Sequence, residues 1–141
     1  MAYTDPHDPR WEPLIEAAWE ARSRAYAPYS GFKVGAAVLL QDGRLQAGCN
    51  VENASYGGAI CAERGAICAA VAAGLRPGDL EALVVVTEAP DLTPPCGFCR
   101  QVLAEFAEDL PVLLANRSGR ALHRLQELLP HAFTGRNLSQ S

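Results

Sequence analysis

CAERGAICAAVAAG, residues 61–74, leads through a short Pro-Gly turn to LEALVVVT, residues 80–87. Alanine and isoleucine fill the first stretch and Gly74 stands just past its end as a C-cap, so residues 59–73 read as a helix. The second stretch carries Leu83, Val84, Val85 and Val86 without a polar interruption, the pattern of a short strand buried on both faces. Moving toward the C-terminus, the turn Thr93-Pro94-Pro95 precedes residues 96–107, where Val102, Leu103 and Phe106 recur at helical spacing. Residues 111–115, PVLLA, form another buried strand, closed by the turn Arg117-Ser118-Gly119. Residues 120–129 are ambiguous: Leu122, Leu125, Leu128 and Leu129 suit a helix, yet the first half fits a strand after that turn. Toward the N-terminus, residues 33–40 (KVGAAVLL) and 44–51 flank Asp42-Gly43, a strong hairpin signal. Residues 11–26 place Trp11, Leu14, Ile15, Ala18 and Trp19 on one side of an amphipathic helix ended by Pro28 and Ser30-Gly31. The order α-β-β-α-β-α-β describes an α/β layer fold on one mixed sheet.

The totals bound the function. A chain of 141 residues fits one domain, 1–141, with flexible ends expected over residues 1–8 and 134–141. The net charge of -4 and the single lysine, Lys33, argue against nucleic acid, which needs clustered cations to displace counterions from phosphates. No apolar run reaches the 18 or so residues that a membrane span needs. The opening MAYTDPHDPRWEP carries acids and prolines where a signal peptide needs an apolar stretch, so a cytoplasmic protein is expected. Five cysteines, at 49, 61, 68, 96 and 99, are then expected as thiols rather than disulfides.

Cys96 and Cys99 form Cys-x-x-Cys at the start of a predicted helix, which alone suits either a redox pair or half a zinc site. Cys61, also near a helix start, supplies a third thiolate, and a three-thiolate zinc keeps a fourth position for water. A closed structural site with a fourth protein ligand is the rival. Cys68 does not supply it, because two helical turns separate it from Cys61, ~10.5 Å along the axis; it reads as a small core residue, as does Cys49. Zn²⁺ with three thiolates carries a net negative charge, which two helix N-termini and the neighbouring Arg64 and Arg100 would offset. Arg64 is the preferred donor to a thiolate. Glu63, on the same first turn as Cys61, is placed to move the proton of a metal-activated water.

Cys61-Ala62-Glu63-Arg64 with Pro95-Cys96-Gly97-Phe98-Cys99-Arg100-Gln101 resembles the zinc signature of the cytidine deaminases. The similarity extends to residues 29–37 (YSGFKVGAA), 50–56 (NVENASY), 101–106 (QVLAEF) and 127–130 (ELLP), covering the chain from about residue 26 to 133. The resemblance implies a three-layer α-β-α fold with a mixed five-stranded sheet, its fifth strand over residues 120–125. It implies zinc-dependent hydrolytic deamination of cytidine and 2′-deoxycytidine, with Cys61, Cys96 and Cys99 as zinc ligands and Glu63 as proton carrier. Asn50 and Glu52 would bind the ribose and Phe32 would pack on the pyrimidine. The family's small subunits typically form homotetramers, so Tyr56 and Phe133 would serve a neighbour's pocket. The partner is thus a nucleoside, with no nucleic acid and no membrane. Two positions depart from the family pattern. Phe98 replaces a small residue, where a ring could narrow the pocket or meet a neighbouring subunit. Gly65 stands where threonine is common, at a helix-propensity cost of ~1 kcal/mol relative to Ala. The alternatives are a deaminase of another aminopyrimidine nucleoside and a non-catalytic module stabilised by zinc.

Overall fold

A computed structural model describes residues 3–139. Helix α1 (Glu12–Arg22) precedes the hairpin β1 (Gly35–Leu40) and β2 (Leu45–Cys49). Then come α2 (Ala62–Ala72), β3 (Leu80–Val86), α3 (Gly97–Phe106), β4 (Pro111–Ala115) and β5 (Arg120–Arg124), with short helices α4 (Leu125–Leu128) and α5 (Gly135–Leu138). The strands form one sheet in the order β2-β1-β3-β4-β5, parallel between β3 and β4 and antiparallel elsewhere.

Strand alternation divides the core between the two faces of this sheet. Leu83 and Val85 of β3, with Val38 and Leu40 of β1, face Ala66 and Ile67 of α2 and Leu103 of α3. Ala82, Val84 and Val86, with Ala37, face Trp11, Leu14, Ile15 and Ala18 around α1. Three layers result, α2 and α3 on one side and α1 on the other. The unbroken run in β3 reflects this central, doubly covered place: Val84 and Val86 are fully buried on one face and Leu83 on the other.

The two glycines at one end of the hairpin set how closely the layers approach. A Cβ on Gly48 would stand 2.4 Å from Ala66 N and 2.6 Å from Ala62 O, so α2 lies directly on β2. A Cβ on Gly35 would stand 2.0 Å from Ala18 O of α1. Gly43 takes a positive φ of 92° in the hairpin turn and Gly74 one of 113° behind α2, as their places in the sequence suggest.

Sequence and structure differ at several points: the helix expected over residues 59–73 begins only at Ala62, because Ile60 bridges Val51, and Cys49 is half-buried rather than in the core. Helix α1 ends at Arg22 rather than running to Tyr26, because the Tyr26 N–H donates to Asn50 O (3.0 Å) and Tyr26 bridges Val51. Residues 120–129 are both things the leucines allowed: β5 along Pro111–Ala115, then one helical turn from Leu125. Cys68 is exposed, not a core residue, because the buried stripe of α2 runs through residues 62, 63, 66, 67 and 70. The ends expected to be flexible extend outside the described residues at 1–2 and 140–141; within them, Tyr3 is buried with its ring 4.9 Å from that of Trp11.

Register collects the remaining loops at one end of the sheet. Gly35 pairs with both Cys49 and Val86, and Val86 pairs with Ala115. The segments just before β1, after β2 and after β3 therefore emerge together, at the C-terminal end of the parallel pair, the usual place for a ligand in such sheets.

Gly48→Ala is expected to destabilise the fold by about 1–3 kcal/mol through overpacking. Gly65→Ala, whose Cβ would meet no atom nearer than 3.4 Å, is expected to stabilise it by up to about 1 kcal/mol. Equilibrium urea unfolding of the two variants should move in opposite directions.

Candidate active site

Cys61 is the N-cap of α2 and Cys96 the N-cap of α3, both with extended backbone, and Cys99 lies in the first turn of α3. Their carbonyls begin the helices: Gly65 N–H donates to Cys61 O (2.9 Å) and Arg100 N–H to Cys96 O (3.0 Å). The sulfurs of Cys61 and Cys96 are 3.9 Å apart, those of Cys96 and Cys99 are 3.5 Å apart, and all three lie within 4.8 Å of one another. Tetrahedral zinc with ~2.3 Å bonds separates its sulfurs by about 3.8 Å, so the three thiols fit Zn²⁺. No fourth His, Cys, Asp or Glu joins this group among the described residues.

The thiols do not titrate alike. Hydrogen bonding from Cys99 pulls Cys61 down to about 5, against the opposing effect of burial, with help from Arg64 and Cys96. Cys99 is pushed up, first by that same hydrogen bond and then by burial. Because zinc is held by thiolates, metal binding would release whatever protons the cysteines carry. Arg64 Nη2 donates to Cys61 Sγ at 3.4 Å. Arg100 turns elsewhere: its Nε donates to Pro95 O and its Nη1 to Leu128 O, both at 2.7 Å, fastening the loop before α3 to α4.

Glu63 is 5% exposed and belongs to the wall of a cavity of about 380 Å³, with Cys61 and Cys96 beside it. Burial raises its carboxyl to about 7, assisted by the charge of Cys61 and opposed by a backbone hydrogen bond and Arg64. Phe32, Asn50, Glu52 and Tyr56 line the same cavity. Cys99 is buried beneath it, and Phe133 lies elsewhere, its carbonyl accepting from Gln101 Nε2 at 2.6 Å. A larger space of about 640 Å³, by Ala104, His131 and Arg136, holds none of these groups.

The polar rim is already organised. Asn50 Oδ1 accepts from Val34 N–H (2.9 Å) and its Nδ2 donates to Phe32 O (2.7 Å), leaving one N–H and one lone pair. Glu52 Oε1 accepts from the N–H groups of Tyr29 (2.9 Å) and Ser30 (3.1 Å), while Oε2 accepts from the Ser30 hydroxyl. The same hydroxyl accepts from Phe32 N–H at 3.0 Å. Ser30 was not singled out in the sequence, although it stands inside the motif at 29–37; its turn-forming position two residues before Phe32 is the signal that would have found it.

A mixed sheet between helices, with thiols at two helix N-termini and a carboxyl buried against them, fits a zinc-dependent hydrolase. Comparison with known proteins narrows the class. The family model for the cytidine and deoxycytidylate deaminase zinc-binding region matches residues 10–114. A cytidine deaminase of Halalkalibacterium halodurans is 47% identical over 128 residues, covering 89% of this chain and 96% of the relative. A crystal structure of cytidine deaminase from Burkholderia pseudomallei superposes with a TM-score of 0.82 at 53% identity, covering 86% of this chain and 97% of that one. The corresponding enzyme structure from Mycobacterium tuberculosis gives 0.75 at 44% identity, covering 89% and 98%. The chain belongs to the cytidine and deoxycytidylate deaminase family, whose metal is zinc.

The Ser30 hydroxyl is the largest cause holding Glu52 below its ordinary value of 4.5, ahead of the Ser30 N–H. A lowered folded-state pKa means that this group's stabilisation is complete above about 4.5 and lost as the pH falls below it. Ser30→Ala should raise the midpoint of the Glu52 carboxyl resonance in an NMR titration; an unchanged midpoint would contradict the assignment.

Proposed function

We propose that the chain deaminates cytidine and 2′-deoxycytidine hydrolytically, giving uridine or 2′-deoxyuridine and ammonia. The observation that carries this reading is Glu63, a carboxyl buried in the cavity wall beside the three thiols. A site that served only to stabilise the fold gains nothing from burying a carboxyl there, and the burial costs free energy. Cys61, Cys96 and Cys99 would hold Zn²⁺, which when bound supplies Lewis-acid activation of a water. Glu63 takes one proton from the attacking water and delivers it to ring N3 as the oxygen adds to C4. It then carries the added hydroxyl's proton to the exocyclic amino group; C4=O forms, the exocyclic C4–N bond breaks, and ammonia leaves with its electron pair. A carboxyl near 7 suits both directions of this transfer at neutral pH.

Substrate contacts follow from what the rim has left to offer. The spare N–H and lone pair of Asn50 and the remaining acceptor capacity of Glu52 match ribose hydroxyls, which donate and accept. Phe32, 43% exposed at the cavity edge, would lie against the pyrimidine. The size, about 380 Å³, is in the small-molecule range. Among the described residues, Arg64 is the only cation in this wall, and it is directed at Cys61. A nucleoside therefore fits better than a nucleotide, whose phosphate would meet Glu52 without a compensating charge.

The exposed side chains of Tyr26, Tyr29, Val51, Tyr56, Ile60 and Phe133 favour assembly as a homotetramer with sites completed between subunits. Phe133 would then reach a neighbour's pocket, whereas Tyr56 lines the cavity of its own chain. The whole chain acts as one domain, since a single sheet carries both cores. The free thiols favour a reducing, cytoplasmic setting. No helix among the described residues is long and apolar enough to cross a membrane.

Two measurements test these readings. The ultraviolet change on mixing with cytidine should be rapid for the wild type. It should be slower by roughly 10²–10⁴-fold for Glu63→Gln with zinc still bound, and lost on chelation of the metal. Unimpaired turnover by Glu63→Gln would remove the proton-carrier role. Light scattering should give about four chains per particle, and Phe133→Ala should weaken cytidine binding; a monomer with full activity would refute shared sites.

A further inference from the structure

Phe98 is 65% exposed, and it is absent from the wall of the cavity that holds Glu63. Its ring lies instead over the guanidinium of Arg64, with Arg64 Cζ 4.2 Å from the ring centroid. The edge of that guanidinium is directed at the metal cluster: Nη2 is 3.4 Å from Cys61 Sγ and 3.5 Å from Ala59 O. Arg64 Nε is buried without a hydrogen-bond partner. Long contacts to Ala59 O and Cys61 Sγ, a further interaction with Cys99 and one unpartnered nitrogen hold this flexible, five-donor side chain only loosely. The aromatic face supplies the missing constraint, because a cation over a π-system is attracted to the ring and confined to its plane of contact.

We infer that Phe98 is a positioning residue for the metal centre, clamping Arg64 against Cys61 so that the three-thiolate set retains zinc. The inference rests on the zinc reading of the cluster and adds a residue to it. Its force comes from where the two partners originate. Arg64 belongs to α2, whose N-cap is Cys61; Phe98 belongs to α3, which carries Cys96 and Cys99. The stack therefore joins the two halves of the donor set across the helix pair. It also places positive charge beside a set that is negative once metal is bound. Groups that orient metal ligands in this way govern retention of the metal, commonly by about 10–100-fold when removed; one step further out, a smaller effect is expected.

The test uses zinc-loaded wild type with Phe98→Leu and Phe98→Tyr, and follows metal transfer to an excess of a chromophoric chelator. Leucine keeps apolar cover over Arg64 but has no π-face; tyrosine keeps the face. Phe98→Leu should release zinc about 3- to 10-fold faster, and Phe98→Tyr should match the wild type. In an Arg64→Ala background the leucine substitution should add nothing, because the residue acts through Arg64. With cytidine, kcat of Phe98→Leu should fall while KM changes less than about twofold, since the ring lies outside the cavity. Equal release from wild type and Phe98→Leu would overturn the inference, as would an undiminished effect without Arg64. Wild type that binds no zinc would instead overturn the metal reading, which the loading step reports first.

Discussion

Three sulfur atoms from two helix starts must meet within 4.8 Å of one another to share one metal ion, and the rest of the structure is arranged around that requirement. Two helix starts converge only if the strands that feed them end at the same level. The register of Gly35 with Cys49 and Val86 provides this, and the parallel pairing of β3 with β4 brings the start of α3 to the same end. Close approach of α2 to β2 is possible because Gly48 has no side chain to hold the helix away. A structure that met each local preference but shifted either helix by one turn would move its sulfur by about 5.4 Å, further than the present spacing tolerates.

The charge on the cluster is handled by position rather than by neutral ligands. Both helices point their N-terminal ends at the thiols, where unpaired N–H groups favour negative charge. Arg64 adds a cation at Cys61, while the nearby Arg100 is used to bind two carbonyls and hold the loop. Glu63 shares the first turn of α2 but not its solvation. It is the one charged side chain among the fully buried residues described, and the same burial that costs stability keeps its proton exchangeable near neutrality.

Most of the fold was legible because its signals are local. The apolar run of β3, the Asp42-Gly43 turn and Gly74 each report their own backbone, and the cysteine spacing reports the two helix starts. What escaped the sequence depends on distant partners. The end of α1 is set by Asn50, far along the chain, which draws Tyr26 out of the helix. Cys68 looks apolar in isolation, and only the packing of α2 on the sheet decides that it faces solvent. Within the site, the cysteine cluster and Glu63 could be named from their motif, whereas the Ser30–Glu52 contact and the Arg64–Phe98 stack could not. Both are contacts between segments that only the folded register brings together.

Asn50 illustrates what such shared contacts entail. Its amide grips the backbone on both sides of Lys33, at Phe32 O and Val34 N, and the same residue lines the cavity. On the proposed reading, the amide that would meet the sugar is also the bracket for the ring that would meet the base. A lineage that exchanged this residue to accept an altered sugar would loosen its grip on the pyrimidine in the same step. Discrimination at the two ends of the nucleoside would then be heritable only as a unit, and drift toward new substrates would have to begin at other positions.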